Sequence, residues 1–452
     1  MSDRYLESLV CPLPEDIARL KGAGEYDLAL ALIRRRLGQP LPEMLKTRLE
    51  AEAYLLPQLS EQYSLTEAEL LSQLQEKVEG FSHEELNGFM LDGLLDFRYI
   101  NGQRRYFHRL PNSLVKSLPS LKRRLKAGQS AGGHPEQADM IRRMKEQDIV
   151  FRYRLRGVIR VNAPKPGETY RFHLPLAAQS MQQEEAKDIV CDHSILHLDG
   201  PEAPQRTLYT ESQGEPVTLE FTVTQRPRYV NALDEGVKGP VYPRARPVCP
   251  DDLMEIPPHL TFTPYLRSLA EQTRGEEQDP VRAAWAFYRY VTEQVNYSFM
   301  PPYLLLESGA EYTAVNLRGD CGLQALLFIA LCRISGIPAR WQSGLYAEPG
   351  DVGSHDWAEF FSPRLGWLPV DCSFGGSAFR AGNEAAHRFY FGNLDPWRMV
   401  ANRTYFSPLR PEKKFPRADP YDSQRGEIET KNGGLKPAEF STEWTMLWHE
   451  NK

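Results

Sequence analysis

Arg318-Gly319-Asp320-Cys321-Gly322 runs into Leu323-Gln324-Ala325-Leu326-Leu327-Phe328-Ile329-Ala330-Leu331-Cys332-Arg333-Ile334, and Gly336-Ile337-Pro338 closes the stretch. Asp320 suits a helix N-cap, the residues from Cys321 to Ile334 favour helix, and Gly336 followed by Pro338 is a regular C-terminal stop. Nearly every face of this helix is apolar, so it is expected to be buried. Cys321 then occupies the first turn of a buried helix. There the dipole and the unpaired N–H groups favour the thiolate and can donate to a developing oxyanion. Asp320 opposes that by like charge unless its carboxylate is engaged in capping. A cysteine in this place is also an ordinary small core residue, so the helix alone does not decide its role.

The following residues add a base and an orienter. Ala339-Arg340-Trp341-Gln342-Ser343-Gly344-Leu345-Tyr346 reads as a strand, and Glu348 to Ser354 reads as a loop. His355-Asp356-Trp357-Ala358-Glu359-Phe360-Phe361 is a second strand, with His355, Trp357 and Glu359 on one face and Asp356, Ala358 and Phe360 on the other. A turn at Pro363 to Gly366 leads to Trp367-Leu368-Pro369-Val370-Asp371, so the two segments form a hairpin that brings His355 beside Asp371. A histidine next to a carboxylate has its tautomer fixed and its imidazolium stabilised, as a base serving Cys321 requires. Cys321, His355 and Asp371 are therefore the expected catalytic triad.

Gly-Asp-Cys-Gly, an apolar helix, Arg-x-x-Gly-Ile-Pro-Ala-Arg, His-x-Trp-x-Glu-Phe and Gly-Trp-x-x-x-Asp together resemble the core of the bacterial transglutaminase-like superfamily, over residues 255 to 410. The resemblance implies an α+β fold with a papain-like cysteine proteinase core. It also implies that Cys321 is the nucleophile, His355 the base and Asp371 its orienter. The tryptophan or tyrosine that helps some relatives hold the oxyanion has no recognisable match. The superfamily includes cross-linking acyl transferases, thiol peptidases, amidases and members without catalysis, so the resemblance leaves the reaction open. The expected activity is thiol-dependent amide hydrolysis or acyl transfer on a protein or peptide, a glutamine side chain included, with hydrolysis slightly favoured. A catalytically inactive binding or scaffold protein and an acyl-CoA-dependent N-acetyltransferase are the alternatives. Against the latter stand the missing Arg-Gly-Gly before Cys321 and the β-rich region ahead of the core.

Outward from that core the chain divides by period. Residues 1–145 read as a mainly helical domain, with helix starts at Thr66 and Ser82 and a hairpin over 97–108 turned by Asn101-Gly102. Arg104, Arg105 and Lys122-Arg123-Arg124 invite a winged-helix reading, but such residues commonly line solvated faces. Gly128 to Gly133 is the expected linker. From 148 to 245 the period becomes two, as in Val217-Thr218-Leu219-Glu220-Phe221-Thr222-Val223-Thr224. This predicts an antiparallel β-sandwich, similar to the immunoglobulin-like domain that often precedes the transglutaminase-like core. The catalytic domain is set at 250–410, with a helix from Pro280 to Val295, and residues 411–452 are an extension expected to pack on the core.

The 452 residues carry 41% apolar and 25% charged side chains and a net charge of −6, a balance that does not recommend nucleic acid as a partner. No apolar run reaches membrane-spanning length. Met1-Ser2-Asp3-Arg4-Tyr5 lacks a charged-then-apolar leader, so a cytoplasmic location is expected. The six cysteines are dispersed without a Cys-x-x-Cys pair, and there is no Asp-x-Asp-x-Asp-Gly loop, so neither metal nor cofactor is expected. Cys332 and Cys372 are read as core, Trp341, Trp357 and Trp367 as packing, and Glu359 as an ion-pair partner of Arg340 or a similar base.

Overall fold

Alternating apolar residues in Ala339–Glu348 and Asp351–Ser362 make two strands at the centre of the region expected at 250–410, and a computed structural model describes how the rest assembles on them. It describes residues 4–129, 136–243 and 245–451, so the last four residues of the expected Gly128–Gly133 linker lie outside the described residues. The central strands pair antiparallel, flanked by Gly366–Val370 on one side and Arg398–Asn402 on the other. Tight pairing is imposed at Gly344, which lies opposite His355. A Cβ there would stand 1.9 Å from the Met399 carbonyl oxygen on the neighbouring strand, so only glycine lets the strands close. The expected loop from Glu348 to Ser354 is shorter than the sequence suggested. Both strands extend until Pro349 and Gly350 alone turn the chain, with Gly350 at φ 86°.

Helix Cys321–Ile334 is capped by Asp320, whose side chain accepts from the Leu323 amide, and its residues from Gly322 to Arg333 are buried. It packs beneath the sheet, where Phe328 meets Phe360 edge to face. Helix Pro280–Gln294 lies alongside, capped by Asp279. Strand Gly366–Val370 ends one residue before Asp371. Asp371 is the N-cap of helix Cys372–Arg380, so Cys372 is a buried helical residue rather than the next position of a strand.

The helical N-terminal region holds the expected hairpin, Phe97–Ile100 against Gln103–Tyr106, with Asn101 and Gly102 both at positive φ. Thr66 and Glu69 form a capping box. The β-rich region forms two four-stranded sheets, and each takes a strand from the far C-terminus. Phe440–Asn451 pairs with Phe151–Val161, and Glu427–Glu429 pairs with Tyr170–Pro175. The extension, expected to pack on the core, therefore also supplies a strand to each sheet of the sandwich. The physical reason is its own alternation, with Phe440, Thr442 and Trp444 turned away from Ser441 and Glu443. Among the described residues, no helix is long and apolar enough to cross a membrane.

His259, whose carbonyl accepts from the Ala310 amide, is a histidine no sequence pattern singled out. It is fully buried, edge-on to the rings of Tyr405 and Tyr421, and neither ring nitrogen has a hydrogen bond. Burial pushes its pKa down to about 3. A histidine depressed in the folded state contributes stability above its unfolded value near 6.5, and that stability is lost as pH falls toward 3. His259→Phe should therefore gain on the native protein by about 2 kcal/mol between pH 7.5 and 5, read as the difference in denaturation curves. A pH-independent difference would show that the imidazole is solvated.

Candidate active site

The sequence-predicted residues arrive from three elements. Cys321 opens the buried helix, His355 lies on the second central strand, and Asp371 caps the helix that follows the third. His355 Nε2 donates to Asp371 Oδ2 at 2.7 Å, and both residues are buried. With Nε2 carrying the proton, Nδ1 is the basic nitrogen. The imidazole lies between Trp357, stacked at 5.9 Å between centroids, and Phe374, edge-on at 4.9 Å. Burial lowers the His355 pKa, opposed by Asp371, so the ring rests neutral.

Asp371 has a second partner that the sequence did not place. Arg398, fully buried, donates to Asp371 Oδ2 from Nη2 at 2.9 Å and to Asp395 Oδ1 from Nη1 at 2.9 Å. Its guanidinium lies 4.1 Å from the Phe374 ring centroid and 4.7 Å from that of Tyr346. Burial alone would raise the Asp371 carboxyl, but His355, Arg398 and the Phe374 amide outweigh it and hold it at about 2. The carboxylate is thus ionised at neutral pH.

Cys321 makes a different contact from the one the sequence suggests. Its thiol donates to Asp356 Oδ2 at 3.3 Å, and among the described residues no hydrogen bond joins it to His355. Strand alternation holds: Asp356 turns to the thiol while its neighbour His355 turns to Asp371. Burial, then Asp356 and Asp320, push the thiol pKa well above the ordinary value, so the expected helix-dipole thiolate gives way to a neutral thiol. Asp320 does engage in capping, and it also accepts from the Tyr303 hydroxyl at 2.7 Å. Burial nevertheless raises its own pKa to about 6.

Gly322 permits this arrangement. A Cβ there would meet Tyr303 Oη at 2.1 Å, the Trp341 ring at 2.8 Å and Asp356 Oδ2 at 2.9 Å. The far side of Asp356 is held by Gln424, whose Nε2 donates to Asp356 Oδ1 at 2.5 Å and to the His355 carbonyl at 3.0 Å. Gln424 thus brings the C-terminal segment against His355 and Asp356. Arg340 and Glu359 pair as expected, and Cys332 is buried core. Among the described residues, no group of three His, Cys, Asp or Glu side chains is placed to hold a metal.

Residues 267–372 match the transglutaminase-like superfamily, so the chain carries a transglutaminase-like domain that takes in Cys321, His355 and Asp371. A protein-glutamine gamma-glutamyltransferase of Pseudomonas aeruginosa is 26% identical over 132 residues, which is 27% of this chain and 20% of that protein. The match thus spans about a fifth of the length of the curated relative. Among solved structures, a candidate cysteine protease from Cytophaga hutchinsonii has a TM-score of 0.40 and 14% identity, covering 68% of this chain and 90% of that one. The periplasmic domain of TgpA from Pseudomonas aeruginosa has a TM-score of 0.29 and 15% identity, covering 56% and 96%.

Proposed function

We propose that this transglutaminase-like chain is a cysteine-dependent enzyme that hydrolyses or transfers the acyl group of an amide in a protein or peptide, with Cys321, His355 and Asp371 as its catalytic residues. One observation carries the reading. A buried His355 is fixed by Asp371, itself fixed by Arg398, in the residue adjoining the one that holds the Cys321 thiol.

The chemistry follows from the resting protonation states. A neutral thiol and a neutral imidazole require the proton to move as the bond forms, so Cys321 turns from Asp356 to His355 Nδ1 and attacks the carbonyl carbon while Nδ1 takes its proton. The Asp371 carboxylate stabilises the imidazolium, which then protonates the leaving amine. Asp320 caps Leu323, leaving the Cys321 and Gly322 amides as the donors available to the oxyanion. Water or an amine then takes the acyl group from the thioester, and hydrolysis is the expected default because no feature of the site reserves a place for a second amine.

Alkylation of Cys321 by iodoacetamide, followed across pH, tests this reading. At neutral pH the rate should fall at least about tenfold in His355→Ala, because a general base is lost. Labelling indifferent to His355, and no faster than at buried Cys332, would overturn the triad.

A further inference from the structure

We infer that Arg109 and Lys116, from the N-terminal helical region, form a carboxylate-binding subsite beside Cys321, so that the enzyme selects acidic peptides. The inference rests on the proposed reading of Cys321 as the nucleophile and deepens it. It begins with how the helical region is attached. Helix Leu110–Ser117 is pinned to residues 297–299: the Phe299 amide donates to Ser113 Oγ at 3.0 Å, and Ser117 Oγ donates to the Tyr297 carbonyl. Tyr297 in turn pairs with Gly319, two residues before Cys321. The helix is therefore tied to the strand that feeds the nucleophile.

Two cations are held over that strand. The Arg109 guanidinium carbon lies 3.6 Å from the Phe299 ring centroid, and Lys116 Nζ lies 4.0 Å from that of Tyr297. Both residues remain exposed at their surface, and neither has an ion-pair partner among the described residues. Both are placed to feel the charge of Cys321 once it ionises, Arg109 also feels Asp320 and Lys116 feels Asp351, and Lys116 acts on His355. Arg425, from the C-terminal segment, bears on Arg109 as well.

In a chain with six more acidic than basic residues, positive side chains usually find a partner. Here partial burial and the repulsion of Arg109 and Lys122 depress Lys116, and the attraction of Cys321 and Asp351 does not fully offset them. A carboxylate on the substrate, next to the amide under attack, supplies the missing charge. It also steers the substrate toward the thiol.

Two alkylating probes of nearly the same size separate this inference from the reading it rests on. Iodoacetate carries the negative charge and iodoacetamide does not. At low salt, the ratio of the iodoacetate to the iodoacetamide rate at Cys321 should be roughly fivefold higher in the native chain than in the Arg109→Gln, Lys116→Gln double variant. Arg35→Gln, on helix Tyr26–Leu37, should leave the ratio unchanged although it removes the same charge. At about 0.5 M salt the preference should collapse, because screening then acts over a few ångströms. An equal ratio in native and double-variant protein would overturn the subsite while leaving the triad standing. Iodoacetamide labelling indifferent to His355 would overturn the triad, whatever the ratio.

Discussion

Arg398→Ala is expected to cost about 3–5 kcal/mol, because it strips one partner from a buried ionic network. The side chain is fully buried and joins two carboxylates, Asp371 and Asp395, that are themselves fully buried. Asp395 keeps the Tyr390 hydroxyl at 2.9 Å and the Trp397 amide at 3.1 Å, while Asp371 keeps His355 and the Phe374 amide. Neither set replaces a full positive charge in a buried site. The aromatic cage of Tyr346 and Phe374 would also lose its cation.

The change should have a chemical signature as well as a stability cost. Asp371 is held at about 2 by two charges, and removing one raises it. The carboxylate then stabilises the His355 imidazolium less well, and the pH profile of Cys321 labelling should move. Arg398→Lys should not rescue either effect, since a point charge cannot span two carboxylates as the guanidinium fork does. The thermal midpoint should drop by roughly 10 °C. A drop under about 2 °C with an unaltered pH profile would mean that the network is wet and that Arg398 does not position Asp371.

The sequence carried the parts of this site that depend on near neighbours. The Asp320 cap, the apolar run to Ile334 and the stop at Gly336 are local signals, and the helix follows them residue for residue. The His355–Asp371 meeting was legible because a hairpin with a short turn fixes register. Arg398 was not legible, because it reaches Asp371 through a strand that pairs across Ala339–Glu348, and nothing local announces that pairing. Arg109 and Lys116 were hidden for the same reason, being about two hundred residues from Cys321 in the chain. The thiol pKa was misjudged because the helix dipole is a local term. Burial and Asp356, which only the tertiary structure supplies, are larger. The C-terminal strands were missed because a strand's alternation gives its faces and not its partner.

Asp356→Asn is the second change with a large expected effect, and its sign separates two chemistries. Asp356 accepts the Cys321 thiol, and although burial raises its own carboxyl well above the usual range, its carboxylate form is, after burial, the largest contribution holding that thiol protonated. Asparagine keeps the shape and can still hold Gln424, but it removes the charge. If His355 is the base, the thiol is freed toward Nδ1 and its pKa falls. Each unit of that fall is worth about 1.4 kcal/mol in favour of the thiolate, so labelling at neutral pH should accelerate about tenfold or more. The acceleration should disappear when His355→Ala is added, because the two changes act on one proton. The opposite result has an equally definite meaning. If Asp356→Asn slows labelling as far as His355→Ala is expected to, the carboxylate in contact with the thiol is the group that takes its proton. His355 and Asp371 would then be a structural pair, and the catalytic assignment would pass to Cys321 and Asp356.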